Sequence, residues 1–107
     1  MQGLSMRRIK VRYWETGASV GENLQSSDSF LRGVAIGYVL GCDDAREIRL
    51  NVPPGRIRDR YRLPDTCTRE ELGKIVESYL ERHPDQWPER AILLVYMALE
   101  EAFPVRD

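Results

Sequence analysis

The segment GVAIGYVLG, residues 33–41, is the most apolar stretch of the chain and restricts the folds that the chain can adopt. Its apolar run covers about ten residues, roughly half of the ~20 that a bilayer-spanning helix needs. Arg32 precedes the run, and Asp43 and Asp44 follow it closely. We therefore expect this segment to be a buried helix of a soluble protein rather than a membrane span.

Glycines recur at every fourth position of this segment, at Gly33, Gly37 and Gly41. Residues four apart lie on one side of a helix, so the three glycines open a groove along it. Each glycine costs roughly 1 kcal/mol of helix propensity relative to alanine, which close packing of another element must recover. We predict that the last helix, or a symmetry copy, fills this groove, and that Tyr38 beside it fixes the packing angle. In the alternative, one glycine marks a bend and the helix tolerates the others.

The amino-terminal part of the chain gives weaker patterns. The alternation in RRIKVRYWE is typical of a strand, so residues 1–14 are predicted to be an extended arm or a strand. A short helix is predicted around residues 19–26. Ser27 or Asp28 is a suitable N-cap for the apolar helix, because its side-chain oxygen accepts from open backbone N–H groups. That helix is predicted to end near Arg46.

The carboxyl-terminal part predicts two helices. Thr68 and Glu71 form a T-x-x-E capping box that opens the first of them, and Pro84 ends it. Pro88 suits the first position of the second helix, since its missing N–H would be unpaired there, and Pro104 closes that helix. Both segments place apolar residues three and four positions apart, as an amphipathic helix does. The chain is thus predicted to be all-α.

Residues 48–63 contain two prolines and apolar residues that alternate on both sides of a Pro-Pro-Gly turn. A small β-hairpin and a long irregular loop are both compatible with this pattern. We expect a single domain over residues 1–107, a small bundle of four to five helices with a long central loop or minor hairpin. Met6 is a candidate natural start, which would make residues 1–5 a cloning remnant.

The last helix is apolar over an unusually broad surface. Leu93 and Met97 widen its main stripe, which includes Tyr96, so we predict a central helix or a homodimer face made by these residues. The charges are also divided: residues 1–62 carry 11 basic and 7 acidic side chains, and residues 63–107 carry 5 and 10. Such a division favours self-complementary contacts or a partner at one end, although two ordinary solvated faces would give the same count.

Catalytic and metal-binding patterns are weak. The single histidine, His83, adjoins a proline at a helix end, where we expect it to interact with terminal carbonyls. Cys42 and Cys67 are far apart in sequence and are predicted to be reduced thiols, which with one histidine argues against a zinc site. Asp43 and Asp44 are adjacent and would point in different directions on a helix. We therefore predict no catalytic residue, no metal and no cofactor.

The arginine run RIRDRYR is the patch that we predict to be functional. Its members are Arg56, Arg58, Arg60, Tyr61 and Arg62. Guanidinium groups pair well with carboxylates and phosphates, and tyrosine is enriched at binding hot spots, so we predict a partner-binding site here. A solvated loop is the alternative. The near-balanced charge of the whole chain argues against nucleic acid as the partner.

The segments IGYVLGCDDA and LPDTCTREELGKIVESYLERHPDQWPERAILLVYMALEEAFP resemble the Rap/Tai family of type VI secretion immunity proteins. The shared elements are G-Y-x-x-G-x-x-D-A, a P-x-x-x-T-x-x-x-L helix start, a YL…HP helix end and A…L…AL…AFP, over about residues 30–104. The resemblance implies an all-helical protein, often dimeric, that blocks a toxic effector, usually a periplasmic cell-wall hydrolase. It also implies that Asp44 belongs to the D-A pair, and we expect Asp44 to hydrogen-bond the following loop.

The usual cysteines of that family are missing, since Ala35, Arg62 or Leu63, and Val105 occupy their positions. This agrees with a reducing compartment. Nothing at the amino terminus reads as a signal peptide, so the chain as written is predicted to be cytoplasmic, or periplasmic if a leader was removed. The expected function is inhibition of a cognate toxin by direct binding, with no membrane partner. The alternatives are a self-associating, non-enzymatic adaptive module carried on a mobile gene, and a binder of small anionic ligands.

Overall fold

A computed structural model describes residues 15–51 and 60–105, and the side chains within residues 15–47 and 60–105. These residues contain no β-sheet; two isolated bridges join Thr16 to Arg90 and Tyr61 to Pro104. The elements are α1 (Gly17–Leu24), α2 (Ser29–Asn51), α3 (Arg69–Arg82), a 3-10 turn (Pro84–Gln86) and α4 (Ala91–Ala102). The predicted all-α bundle is confirmed. The amino-terminal arm, residues 1–14, lies outside the described residues.

Helix α1 begins two residues before its predicted start. Thr16 caps it reciprocally: the Ser19 N–H donates to the Thr16 hydroxyl at 3.2 Å, and the Thr16 N–H donates to the Ser19 hydroxyl at 3.0 Å. Gly17 brings α1 close to α4 and to the segment that precedes α4. A Cβ atom at Gly17 would stand 2.5 Å from the Leu94 Cδ1 and 3.1 Å from the Trp87 Cα. The glycine at this position therefore permits the close approach of the two helices.

Helix α2 is longer than predicted. Asp28 caps it, because its carboxylate accepts from the Phe30 N–H at 2.9 Å. The helix continues past Arg46 to Asn51, so residues 48–51 are helical and the first strand of the suggested hairpin is excluded. The sequence between Arg46 and Asn51 contains neither glycine nor proline, the two residues that most disfavour a helix. Residues 52–59, which hold the turn and the beginning of the second strand of that hairpin, lie outside the described residues.

Helix α3 has the predicted bounds and cap. The Glu71 N–H donates to the Thr68 hydroxyl at 3.1 Å, and the Thr68 N–H donates to the Glu71 carboxylate at 2.8 Å. This carboxylate contact lowers the pKa of Glu71 from its ordinary value. His83 follows the helix, and Pro84 begins the 3-10 turn. The T-x-x-E pattern thus identified the start of α3 correctly.

The start of α4 was predicted wrongly. The helix begins at Ala91, not at Pro88, because the preceding backbone bonds to the start of α1. The Gly17 N–H donates to the Glu89 carbonyl at 3.0 Å, and the Ala91 N–H donates to the Glu15 carbonyl at 2.8 Å. These long-range bonds replace the local ones that an earlier helix start would have made.

The core lies where the four helices pack against one another. Fully buried side chains come from every helix, and α4 supplies Leu94, Val95, Ala98 and Leu99. Each of the four helices contacts the other three, so the core is shared among them and does not single out α4 as the central helix. None of the helices within the described residues combines the length and apolarity that crossing a bilayer requires.

The glycine groove of α2 is open in the described chain. A Cβ atom at Gly33, Gly37 or Gly41 would meet nothing within 4 Å. The prediction that the last helix fills the groove is therefore wrong. The reason is the orientation of α2, which turns its opposite side inward, including the buried residues Ala35 and Val39. Packing of a symmetry copy into the glycine groove stays a prediction.

Candidate partner-binding site

The arginine run leads into a buried anchor at Tyr61. This side chain is 1% exposed, and its ring lies 6.4 Å from the Tyr96 ring, centroid to centroid. Its hydroxyl donates to the Asp43 carboxylate at 2.9 Å. Burial, and then the hydrogen bond to Asp43, raise the pKa of Tyr61 above its ordinary value. The anchor fixes the chain after residues 52–59 against the carboxyl-terminal half of α2.

Arg46 completes the anchor, although the sequence analysis gave it no role. It is 7% exposed, and its guanidinium carbon lies 4.0 Å from the centroid of the Tyr61 ring. It donates to the Tyr61 carbonyl at 3.3 Å, to Asp43 at 3.3 Å and to Glu47 at 3.0 Å. Two carboxylates and a carbonyl thus compensate the buried charge, as buried charges require. The i,i+3 spacing of Asp43 and Arg46 on a helix was the signal that could have identified this pair.

Two expectations need correction here. Tyr61 is not part of a binding surface, because burial between Arg46 and Tyr96 removes its ring from solvent. Asp43, not Asp44, bonds the following loop; Asp44 is exposed. The two acids are 100° apart on the helix, so only one of them can point toward Tyr61.

The other arginines of the run divide between the described and undescribed parts of the chain. Arg60 is exposed and pairs with Glu100 of α4 at 3.3 Å. Arg62 has an exposed side chain, and its backbone N–H donates to the Phe103 carbonyl at 3.0 Å. Arg56 and Arg58 lie outside the described residues. The structure therefore places the end of the run beside the ends of α2 and α4.

Residues 60–62 and 103–105 run side by side as a short antiparallel pair. The Tyr61–Pro104 bridge lies at its middle, and the Val105 N–H donates to the Arg60 carbonyl at 3.3 Å. This pairing joins the chain after α4 to the chain after the arginine run. It orients Arg60 outward while Tyr61, its neighbour, points into the core, as alternate residues of extended chain do.

The proposed dimer face on α4 is only partly exposed. Leu93 and Met97 are exposed, but Tyr96 is half-buried and its hydroxyl donates to the Cys42 carbonyl at 2.9 Å. That bond turns Tyr96 toward α2, so Tyr96 is not a face residue. The sequence analysis missed a more exposed apolar surface on α2, where Phe30 is 73% and Val34 is 49% exposed.

The histidine and the two cysteines considered for catalysis or metal binding do not form a common site in the described part of the chain. His83 stacks on Tyr79 with ring centroids 4.2 Å apart, and its backbone N–H donates to the Leu80 carbonyl. Burial raises the pKa of the Cys42 thiol to about 11, and burial also raises the pKa of Cys67. The described part of the chain brings together no group of three His, Cys, Asp or Glu that could hold a metal ion.

Two clefts on the described surface contain neither His83 nor Cys42. One of about 300 Å³ lies between α1, the end of α3 and Trp87. Its lining residues include Gly21, Glu22, Leu80, Glu81 and Trp87. Another, of about 530 Å³, lies beside Cys67 and Phe103. Of the described members of the arginine run, neither Arg60 nor Arg62 lines either cleft.

A family model described as Rap1a immunity proteins matches residues 16–105, which is most of the chain and includes all four helices. No curated protein and no solved structure gives a significant match. The match begins at the Thr16 cap and ends at Val105, the last residue of the antiparallel pair that closes the fold. The chain belongs to the family of Rap1a immunity proteins.

Proposed function

We propose that this protein inhibits a cognate bacterial toxin by binding it directly. The observation that carries the proposal is the family match over residues 16–105. The resemblance to the Rap/Tai group supplies the finer proposal that the toxin is a type VI secretion effector. The protein acts by covering its target, and we assign it no catalytic residue and no cofactor. Its two free thiols are compatible with action in a reducing compartment.

The proposed toxin-binding site is the end of the molecule that carries the arginine run. The Tyr61–Arg46–Asp43 anchor holds the chain at residue 61 in one position. A binding segment that is anchored at its base loses less conformational freedom when a partner binds it. Arg60 stands exposed next to that anchor, and its guanidinium group is suited to pairing with a carboxylate of the partner.

The test begins with the effector encoded beside this protein's gene. Cells that express the effector should survive when they also express this protein, and the purified pair should form a tight complex. Replacing Arg56, Arg58 and Arg60 by alanine should weaken that complex by about thirtyfold, which corresponds to the ~2 kcal/mol of a binding hot spot. Isothermal titration calorimetry measures the change.

Arg82→Ala is the matched control. Like Arg60, Arg82 is an exposed arginine that pairs with a glutamate of α4, here Glu101 at 2.9 Å. Arg82 lies on α3 and not in the run, although its partner Glu101 adjoins Glu100. Its loss should leave toxin affinity unchanged if the run itself contacts the toxin. Failure of the wild-type protein to rescue cells or to bind the effector would refute the proposed function. Equal effects of the Arg60 and Arg82 replacements would refute the arginine site alone.

We further propose that the protein self-associates. The supporting observation is that large apolar side chains are exposed on two helices, at Phe30 and Val34 of α2 and at Leu93 and Met97 of α4. Contiguous exposed apolar surface on a soluble protein commonly marks an interaction site.

A further inference from the structure

The cleft of about 300 Å³ beside α1 has an apolar lining. Gly17 and Gly21 contribute to it from α1, since residues four apart lie on one side of a helix. Leu80 at the end of α3 and the side chain of Trp87 add further apolar surface. The volume is at the lower end of the roughly 300–1,000 Å³ of ligand pockets, so the cleft suits a single extended side chain better than a large ligand.

Two hydrogen bonds fix the position of Trp87 in the cleft. Its indole N–H donates to the Leu80 carbonyl at 2.7 Å, and its backbone carbonyl accepts from the Ala18 N–H at 3.1 Å. The residue is 39% exposed, so part of it remains accessible to a partner. A wall that is already in place loses little conformational freedom when a partner binds. Indole also attracts a cation over its face more strongly than the other aromatic side chains do.

Two glutamates stand at the cleft, one from each helix. Glu22 of α1 and Glu81 of α3 line it, and both are exposed. The Gln25 amide donates to one oxygen of Glu81 at 3.1 Å, which holds that carboxylate beside α1. A carboxylate accepts several hydrogen bonds, so Glu81 keeps the capacity to accept from a further donor. Within the described part of the chain, no basic side chain lines the cleft.

The two segments that build the cleft are strongly acidic. Residues 15–28 and 80–90 together carry six acidic and two basic side chains. An anionic ligand would be repelled there, whereas a cation would be attracted before it makes contact. Lysine and arginine combine such a cation with an aliphatic stem that packs on apolar surface. The apolar lining and the two carboxylates of the cleft match these two parts of a basic side chain.

From this geometry we infer that the cleft receives a lysine or arginine side chain of the toxin. The inference rests on the proposed inhibitory function and adds to it a second contact, opposite in charge to the arginine run. The aliphatic stem lies on Gly21 and Leu80, and the cationic head lies beside Trp87 within reach of Glu22 and Glu81. Hydrogen bonds in which both groups are ionised are roughly twice as strong as neutral ones, so the carboxylates select for charge.

The cleft and the arginine run lie near opposite ends of α4. Trp87 comes four residues before the start of α4 at Ala91, and Tyr61 pairs with Pro104 after its end. A helix of 12 residues is about 18 Å long, and a standard interface of about 800 Å² per partner is roughly 30 Å across. One toxin molecule is therefore large enough to reach both ends. Contacts of opposite charge at the two ends would fix its orientation.

The complex with the effector gives the first test, by isothermal titration calorimetry. The double variant Glu22→Gln, Glu81→Gln keeps the shape of both side chains and removes their charge, so it should weaken the complex by about tenfold. The double variant Asp65→Asn, Glu70→Gln is the matched control, because it removes two negative charges at exposed positions outside the cleft. It should stay within about twofold of the wild type, since exposed charges contribute little.

Filling the cleft tests the same site without changing its charge. A Cβ at Gly21 would stand 3.4 Å from the Leu80 Cδ1, an ordinary contact, so Gly21→Leu should fold and place its side chain in the cleft. It should weaken the toxin complex by about tenfold or more. Ser78→Leu adds the same side chain to an exposed position of α3 and should leave the affinity unchanged. Circular dichroism with thermal melts checks the fold of every variant.

A small probe tests the recognition of the cation without the toxin. Nα-acetyl-lysine amide carries the stem and the cation, and Nα-acetyl-norleucine amide carries the same stem without the charge. In two-dimensional amide NMR spectra of the full chain, the lysine probe should shift the indole signal of Trp87 in a saturable way. The norleucine probe should not. The signal is assigned by its absence from Trp87→Phe.

Unchanged toxin affinity in both cleft variants would overturn the inference and leave the inhibitory function intact. So would equal losses in the cleft charge variant and its matched control, or equal shifts of the Trp87 signal with both probes. Failure of the wild type to bind or neutralise the effector would instead refute the proposed function, and with it the toxin as the occupant of the cleft. The two failures are therefore distinguishable.

Discussion

Neighbouring acids at the end of the apolar segment of α2 have opposite environments. The Asp43 carboxylate accepts from the Tyr61 hydroxyl and from Arg46, whereas Asp44 is exposed to solvent. The family resemblance favoured Asp44, whereas the i,i+3 spacing to Arg46 favoured Asp43. Which of the two acids accepts the hydrogen bond depends on which one faces Tyr61. That orientation is a property of the tertiary fold.

Asp43→Ala should destabilise the protein by on the order of 1–3 kcal/mol, because the buried Tyr61 hydroxyl loses its acceptor and Arg46 loses an ion-pair partner. Urea denaturation followed by circular dichroism measures the loss. Asp44→Ala is the matched control and should stay within about 0.5 kcal/mol of the wild type, as ordinary surface sites do. Equal losses in the two variants would show that the anchor contributes nothing particular to stability.

Helices of this protein use glycine in two ways that sequence spacing does not separate. Gly17 and Gly73 are buried against neighbouring elements, and a Cβ at Gly73 would stand 3.1 Å from the Ile36 Cγ1. Gly37 and its neighbours four residues away are open. The regular i,i+4 spacing suggested close packing within the chain, yet the glycines that pack closely are the isolated ones. Which side of a helix faces the core decides whether its glycines are closely packed. That orientation depends on the packing of the whole core.

Alanine substitution should therefore act in opposite directions at the two kinds of site. Gly37→Ala should stabilise a dilute, monomeric sample by roughly 1 kcal/mol, because alanine favours a helix and meets no neighbour. Gly17→Ala should destabilise by about 1–3 kcal/mol through overpacking against Leu94 and the Trp87 backbone. Thermal unfolding at low concentration compares them. A destabilised Gly37 variant would mean that the outer face of α2 is covered within one chain.

The cap of α3 provides a pH test. The pKa of Glu71 is lowered because its carboxylate accepts from the Thr68 N–H, so its stabilising contribution is complete above the pKa of an unfolded glutamate. That contribution is lost as the pH falls through the lowered folded pKa. Glu71→Gln should accordingly show a smaller loss of stability than the wild type between neutral and acid pH. Glu22→Gln, at an exposed position of α1, should follow the wild-type curve.

Sequence patterns predicted correctly the features that depend on contacts between residues close together in the chain. The α3 cap involves only Thr68 and Glu71, and both bonds form as the pattern indicated. The start of α4 was misplaced because the backbone before Ala91 bonds to Glu15 and Gly17, more than 70 residues away in sequence. Arg60 was recognised as exposed and basic, but the burial of Tyr61 depends on Asp43 and could not be read from the arginine run.

At the scale of the molecule, four helices share one core. Leu99 is fully buried, and α4 contacts α1, α2 and α3. A single continuous core of this kind is expected to unfold as one cooperative unit. No helix within the described residues has a core of its own that could remain folded after α4 is displaced.

Leu99→Ala should cost about 2–5 kcal/mol, the usual range for removing a buried leucine side chain. Urea transitions measured by far-ultraviolet circular dichroism and by tryptophan fluorescence should shift together. Leu93→Ala, an exposed position on the same helix, should shift neither by more than about 0.5 kcal/mol. Separate transitions for the two probes would show that part of the bundle unfolds independently.

The pairing of residues 60–62 with residues 103–105 has a practical consequence for work on this protein. Any polypeptide joined beyond residue 105 emerges next to the surface proposed to bind the toxin. A bulky fusion at that end would hinder access to the arginine run, and capture experiments that rely on it would give false negatives. A small fluorophore at the same end would instead change its emission as a toxin approaches, and would report binding without altering Arg60.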